Sequence, residues 1–475
     1  MRLTKIEFSG YKRLLSTRCN VDSKMVAFVG PNEAGKSSIL EALAWLHEGG
    51  ELGHDVINRT LAPASVQEVA ATTFILDDAD LALLNGIDAE TLPTTLRFAR
   101  SKDGQGLYRW GPQRLSRPTG ARETAAAALD AARGDINEDL PDLLKADVER
   151  LRDLAESAVE WTEDDHTRAA RFASWLEVEV QPKTAEDEDG REIVLPPTRD
   201  KKATKRLTVA ASSLRDWERQ MGLPAPEDAA WDALSDRVPA FLMFREEDRV
   251  LHDEYSLAFT HVNQGGQNRE VPNEDVTDPP AALESLLKVG GITMQELYDL
   301  VRAGDNARKR TKEREVNRRL EAAISPYWQQ RPLDVNIDLD GSLLRIYINE
   351  PDDVSTFTQR SDGVRTFIAL IAFLAKHKTE VPPVLLIDEA ETHLHFDAQA
   401  DLISFLPTLA GKTLYSTHSP GCLPTDLGRG VRLVEPTRPM VSGPSGRDAG
   451  AGRRGRASAP SPSHSLFSTS ATGPR

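Results

Sequence analysis

Between an apolar pentapeptide, Met25-Val-Ala-Phe-Val29, and a stretch with Ile39, Leu40, Leu43 and Leu46 at helical spacing lies Gly30-Pro-Asn-Glu-Ala-Gly35-Lys36-Ser37. A buried strand, a glycine-bearing loop and an amphipathic helix in immediate succession leave few folds open. The glycines let consecutive backbone N–H groups curl around an anion, and the start of the helix adds partial positive charge. In such a loop Lys36 reaches the β- and γ-phosphates of a nucleotide and the Ser37 hydroxyl ligates Mg²⁺. The Gly49-Gly50 pair ends the helix.

Far along the chain, the short apolar strand Val384-Leu-Leu-Ile387 ends in Asp388-Glu389, and a second, Thr413-Leu-Tyr-Ser416, runs into Thr417-His418-Ser419-Pro420. Both sets of polar residues emerge at the C-terminal edge of their strands, where open α/β sheets bind ligands. Asp388 is placed to hold Mg²⁺ through water, Glu389 to orient and deprotonate an attacking water, and His418 to contact a γ-phosphate or sense its loss. Gln359-Arg-Ser361-Asp362-Gly363 precedes the apolar helix of Thr366 to Ala375. Ser361 and Gly363 there either present hydroxyl and N–H groups to an anion or cap the helix. His393, His395 and Asp397 raise a competing metal-site reading, which local spacing leaves short of ligands.

The organisation expected is an α/β P-loop NTPase head built from both ends of the chain. Residues 1–120 form its N-terminal lobe, 121–320 a mainly helical insertion, 321–435 its C-terminal lobe and 436–475 a disordered basic tail. Leu144, Val148, Leu151, Ala155 and Ala158 step by three and four, a short helical seam. Phe241-Leu-Met-Phe244 reads as a short return strand, Glu186-Asp-Glu-Asp-Gly190 as a solvated loop, and Thr293 with Glu296 as a capping box opening a helical stretch to Leu320. Asp340-Gly341 between two alternating segments predicts a β-hairpin.

Taken in chain order, these motifs resemble the ABC-type ATPase heads of the SMC/RecF class, and most closely the OLD (overcoming lysogenization defect) family. The likeness is carried by Gly30 to Ser38, Arg360-Ser361-Asp362-Gly363, Leu386-Ile-Asp-Glu389, Leu394-His395 and Ser416 to Pro420, over about residues 1 to 70 and 330 to 435. It implies an ATPase using ATP and Mg²⁺, with nucleotide contacts from Gly30, Asn32, Glu33, Ala34, Gly35, Lys36, Ser37 and Ser38. Metal contacts come from Ser37 and Asp388, and the catalytic set is Lys36, Glu389 and His418. It also implies a homodimer closed around ATP, with Ser361 and Gly363 acting in trans on the partner's γ-phosphate and Asp397 near the two-fold interface. DNA and a separate nuclease or effector protein are the further partners expected, in DNA processing, repair or antiphage defence.

Two departures bear on this expectation. Full-length OLD proteins continue into a Toprim nuclease domain rich in carboxylates, whereas here only Asp448 follows Glu435, so no nuclease activity is expected from this chain alone. The Gln that commonly contacts Mg²⁺ in such heads has no assignable position. Composition points to a soluble, cytoplasmic chain: the formal net charge is −16, and no apolar run approaches the ~20 residues of a membrane span. Residues 436–475 hold six Arg and one Asp, a net of +5, so the first 435 residues carry −21; an altered reading frame and a genuine basic tail both fit that shift. An acidic body disfavours unspecific DNA binding, so contact would fall on the basic clusters at Arg308 to Arg319 or Arg199 to Arg206. A transporter ATPase fits poorly, because Ser361 follows Lys36 by 325 residues. An inactive or truncated nucleotide-sensing scaffold is the other alternative, against which the presence of Glu389 and His418 argues.

Overall fold

The computed structural model describes residues 1–58, 67–157, 159–177, 184–186, 192–194, 201–264, 267–325, 334–350, 353–392, 394–436 and 467–468. The chain divides into two compact units. One comprises Met1–Ile75, Arg97–Leu107 and Arg237–Arg475, the other Leu76–Leu96 and Tyr108–Asp236.

At the centre of the first unit, five short strands run parallel in the order Val431–Val434, Met25–Val29, Lys412–Ser416, Val384–Ile387, Phe241–Phe244. A sixth, Phe467–Ser468, adds antiparallel to the outer edge. Parallel strands need both faces covered, and the side-chain period of two divides them between two cores. Val26, Phe28, Val384, Leu386 and Leu414 pack with the helix Lys36–Glu48 and with the strand Arg2–Tyr11. Met25, Ala27, Leu385, Ile387 and Tyr415 face the other way, against the helices Asp362–Lys376 and Phe396–Leu409. Arg2–Tyr11 itself pairs antiparallel with Leu14–Asn20 and Glu68–Ile75.

The second core extends through Ala281–Gly290, Met294–Ala303 and Asn306–Ile324 to the hairpin Asp334–Asp340 and Leu343–Glu350, which turns at Gly341 with φ 59°. The Thr293–Glu296 capping box forms as predicted. The helical stretch expected to Leu320 is made of two helices: Gly304, with φ 67°, ends the first before Asp305 caps the next.

The second unit is helical at its core. Asp142–Glu156 packs with Glu163–Glu177 and Lys201–Met221 through Leu144, Leu151, Leu154, Phe172, Leu214 and Trp217. Leu144 and Leu151 of the predicted seam are buried, Val148 and Ala155 lie at its margin, and Ala158 falls outside the described residues. Asp147 takes a further place in the seam, its carboxylate 1% exposed and held by Arg168 and Arg171. A buried carboxylate is tolerated only when paired in this way.

The mainly helical insertion is expected over 121–320; the compact unit that holds the helical core comprises Leu76–Leu96 and Tyr108–Asp236. Phe241–Phe244 is the edge strand of the parallel sheet, in register with Val384–Ile387, and residues 281–324 share the core of the head. Helical periodicity marks amphipathic helices without saying which core receives them. The loop predicted at 186–190 begins at Glu186, within the hairpin Thr184–Glu186 and Glu192–Val194; residues 187–191, and the tail apart from 436 and 467–468, lie outside the described residues. Among the described residues no helix is long and apolar enough to cross a membrane.

Two consequences can be measured. Replacing the fully buried Leu386 with Ala opens a cavity inside the sheet and lowers stability by about 2–5 kcal/mol, read from the denaturation midpoint. Burial pushes the thiol of Cys19 up to about 12 and that of Cys422 up to about 11, so neither reacts with a thiol reagent at pH 8 until the chain unfolds.

Candidate functional site

The strand order brings the scattered motifs to one edge. Lys412–Ser416 is interposed between the strand that feeds the glycine loop and the strand that ends in Asp388, with Ser416 beside Phe28 and Tyr415 beside Ile387. Ser416 therefore lies between the loop and the acidic pair. Its hydroxyl donates to Asp388 Oδ1 at 2.5 Å and accepts from the Glu389 N–H at 2.8 Å. The Ser37 hydroxyl reaches the same Oδ1 at 3.1 Å. Residues 351 positions apart thus meet on one oxygen.

The loop is shaped by its glycines. Gly35 takes φ 107° immediately before the helix, and a Cβ on Gly30 would lie 2.2 Å from the Val434 carbonyl oxygen. Lys36 curls over the loop, its ammonium donating to the Gly30 and Pro31 carbonyls at 3.1 Å each. Burial pulls its pKa down, against the opposing pull of Asp388, Glu389 and Glu391. Ala34 and Ser38 are buried, whereas Asn32 and Glu33 are exposed; the Glu33 carbonyl accepts from Arg13 at 2.9 Å.

Glu389 adopts φ 47°, a left-handed conformation that costs a residue with a side chain about 1–3 kcal/mol. Two contacts flank this turn that the sequence did not single out. Arg249, five residues beyond the edge strand, donates to the Asp388 carbonyl at 2.5 Å and to the Glu389 carbonyl at 3.3 Å. Glu391 accepts from the His418 N–H at 2.6 Å, tying the His418 turn to the acidic strand end. Neither has a sequence signature: Arg249 is placed by the pairing of Phe241–Phe244 with Val384–Ile387, and Glu391 by the pairing of Val384–Ile387 with Lys412–Ser416.

Ser361 is exposed at the start of Asp362–Lys376 and makes no side-chain cap, so the capping alternative is not realised. Gly363 permits close helix packing, because a Cβ there would lie 2.8 Å from that of Ala398. His395 and Asp397 are exposed, and His393 falls outside the described residues. Among the described residues no three His, Cys, Asp or Glu side chains converge as metal ligands. The pair that does converge, the Ser37 hydroxyl and the Asp388 carboxylate, is a hard-oxygen set suited to Mg²⁺, which takes few protein ligands and keeps substrate phosphates and water.

These features define a nucleotide-binding head of the P-loop class. A protein-family model described as "AAA domain, putative AbiEii toxin, Type IV TA system" matches residues 161–423, and the chain belongs to this family of ATPases. A second AAA domain model matches residues 2–70. Two chromosome partition proteins Smc are similar in sequence. That of Methylococcus capsulatus is 27% identical over 266 residues, 52% of this chain and 22% of the relative. That of Cereibacter sphaeroides is 32% identical over 109 residues, 21% of this chain and 10% of the relative. The matched regions thus span less than a quarter of either relative.

Among solved structures, the Smc head with an extended coiled coil bound to the C-terminal domain of ScpA, derived from Pyrococcus furiosus, aligns over 92% of this chain and 94% of its own at 14% identity and TM-score 0.35. The SMC head domain from Thermotoga maritima aligns over 91% and 95%, with 14% identity and TM-score 0.34. The fold assignment stands on the strand order and the family match.

Gly30→Ala drives a methyl group into the Val434 carbonyl and displaces the loop. Its affinity for ATP, measured by calorimetry, falls at least about tenfold, which is ~1.4 kcal/mol.

Proposed function

We propose that this chain is an OLD-like ATPase head that closes as a homodimer around Mg-ATP and reopens on hydrolysis. The observation that carries the reading is the meeting of the Ser37 and Ser416 hydroxyls on Asp388 Oδ1, with Lys36 in the loop and Glu389 on the adjoining residue. In this reading Lys36 leaves the Gly30 and Pro31 carbonyls to meet the β- and γ-phosphates, while N–H groups of Gly30 to Ser38 surround the phosphates. Ser37 and Asp388 would hold Mg²⁺, which when bound neutralises phosphate charge. Glu389 takes the proton of the attacking water, and His418 follows the γ-phosphate through its backbone tie to Glu391. Ser361, exposed and uncapped, and Gly363 serve the nucleotide held by the second subunit. ATP thereby favours the closed dimer by its differential affinity for it.

Similarity to chromosome partition proteins favours work on DNA, and membership of a family that includes a putative toxin of a Type IV TA system favours defence. We place DNA on Asn306–Ile324, where Arg310, Arg314 and Arg318 are exposed at four-residue spacing. In the second cluster, Arg206 is paired with Asp135 and Arg199 falls outside the described residues. A separate nuclease or effector completes the proposal.

Three outcomes test it. Glu389→Gln lowers ATP turnover at least ~10²-fold while ATP still binds. Its light-scattering mass doubles with Mg-ATP, and Lys36→Ala abolishes the doubling; a monomer that binds ATP without doubling returns the scaffold reading. Replacing Arg310, Arg314 and Arg318 by Ala flattens the log–log salt dependence of DNA affinity by about 3.

A further inference from the structure

Arg249 is a partly buried cation at the acidic edge. Burial lowers its pKa, opposed by Asp388, Glu246, Glu389 and Glu391, and its guanidinium lies 5.5 Å from the centre of the Phe244 ring. A cation is retained in such surroundings when it satisfies several groups at once. The groups it satisfies are two consecutive main-chain carbonyls, those of Asp388 and Glu389. Consecutive carbonyls turn toward one donor only if the backbone between them is bent, and Glu389 supplies the bend with φ 47°. The far side of the turn is fixed by the Ser416 hydroxyl, which accepts the Glu389 N–H. The Nε of Arg249 is buried with no partner, so the side chain is aimed by its two carbonyl bonds and not by a carboxylate.

We propose that Arg249 is the positioning residue for the acidic pair: its fork holds the left-handed turn at Glu389 and so aims that carboxylate at the attacking water. The inference rests on the reading of Glu389 as the base in ATP hydrolysis. Arg249 acts through the main chain, outside the nucleotide contacts, and therefore governs turnover and not affinity. Lysine does not replace it, because a point charge on a flexible stem cannot span two carbonyls as a planar fork does.

The test compares steady-state ATP hydrolysis, ATP affinity and melting temperature for the full chain, Arg249→Ala, Arg249→Lys, Glu389→Gln and the double variant Arg249→Ala/Glu389→Gln. A misaimed base lowers kcat about 10²-fold, with KM for ATP within about twofold of the parent. Added guanidinium ion restores part of the rate of Arg249→Ala and none of that of Glu389→Gln. In the Glu389→Gln background the Arg249 substitution changes the residual rate little, since the two act as one unit. Should Arg249→Ala not fold, Arg249→Lys carries the test, keeping charge and stem with the same fall in kcat at unchanged KM. Parental kcat in Arg249→Lys or Arg249→Ala overturns the proposal, as does a change in KM alone or an undiminished effect in the double variant. If Glu389→Gln hydrolyses ATP at the parental rate, the reading of Glu389 fails first and this inference with it, a result visible without any Arg249 variant.

Discussion

Parallel pairing of Lys412–Ser416 between Met25–Val29 and Val384–Ile387 is the constraint on which the rest of the head depends. Met25–Val29 and Val384–Ile387 are apolar on both faces, so nothing in their own patterning prevents sliding; the covering layers on the two sides fix which residues face each core. A slip of one residue would carry Ser416 away from Asp388 and turn Leu414 and Leu386 toward the wrong core. Core packing and site geometry are therefore set by a single register.

At the edge that this register creates, charges of both signs are held within hydrogen-bonding distance of main-chain groups. Lys36 caps loop carbonyls, Arg249 caps the carbonyls of the acidic pair, and Glu391 caps the His418 N–H. Each charge thus has a main-chain partner in this structure. The same economy appears in the second unit, where Asp147 is buried only because Arg168 and Arg171 meet it.

Met25–Val29, the loop from Gly30 to Ser37, Val384–Ile387 with Asp388-Glu389, and the Thr293–Glu296 box were legible because each signal is local: an apolar run, a fixed glycine spacing, a cap. The place of Phe241–Phe244 was not, because a four-residue apolar strand carries no mark of its neighbour. Arg249 was invisible for the same reason, lying 139 residues from the carbonyl it holds. Ser361 reads in sequence as cap or ligand, and the structure shows only that its side chain makes no cap bond.

By itself, then, the sequence determined the phosphate loop, the strands that end in chemistry and the helices that cover them, since these depend on periodicity and on residues within one turn of each other. Tertiary structure alone decided that Ser37 and Ser416 share one oxygen of Asp388, that the edge strand comes from the middle of the chain, and that Arg249 and Glu391 brace the turn. The physical reason is that these contacts join segments separated by 27 to 351 residues, and their geometry is fixed by sheet register and packing instead of by any local preference of the chain.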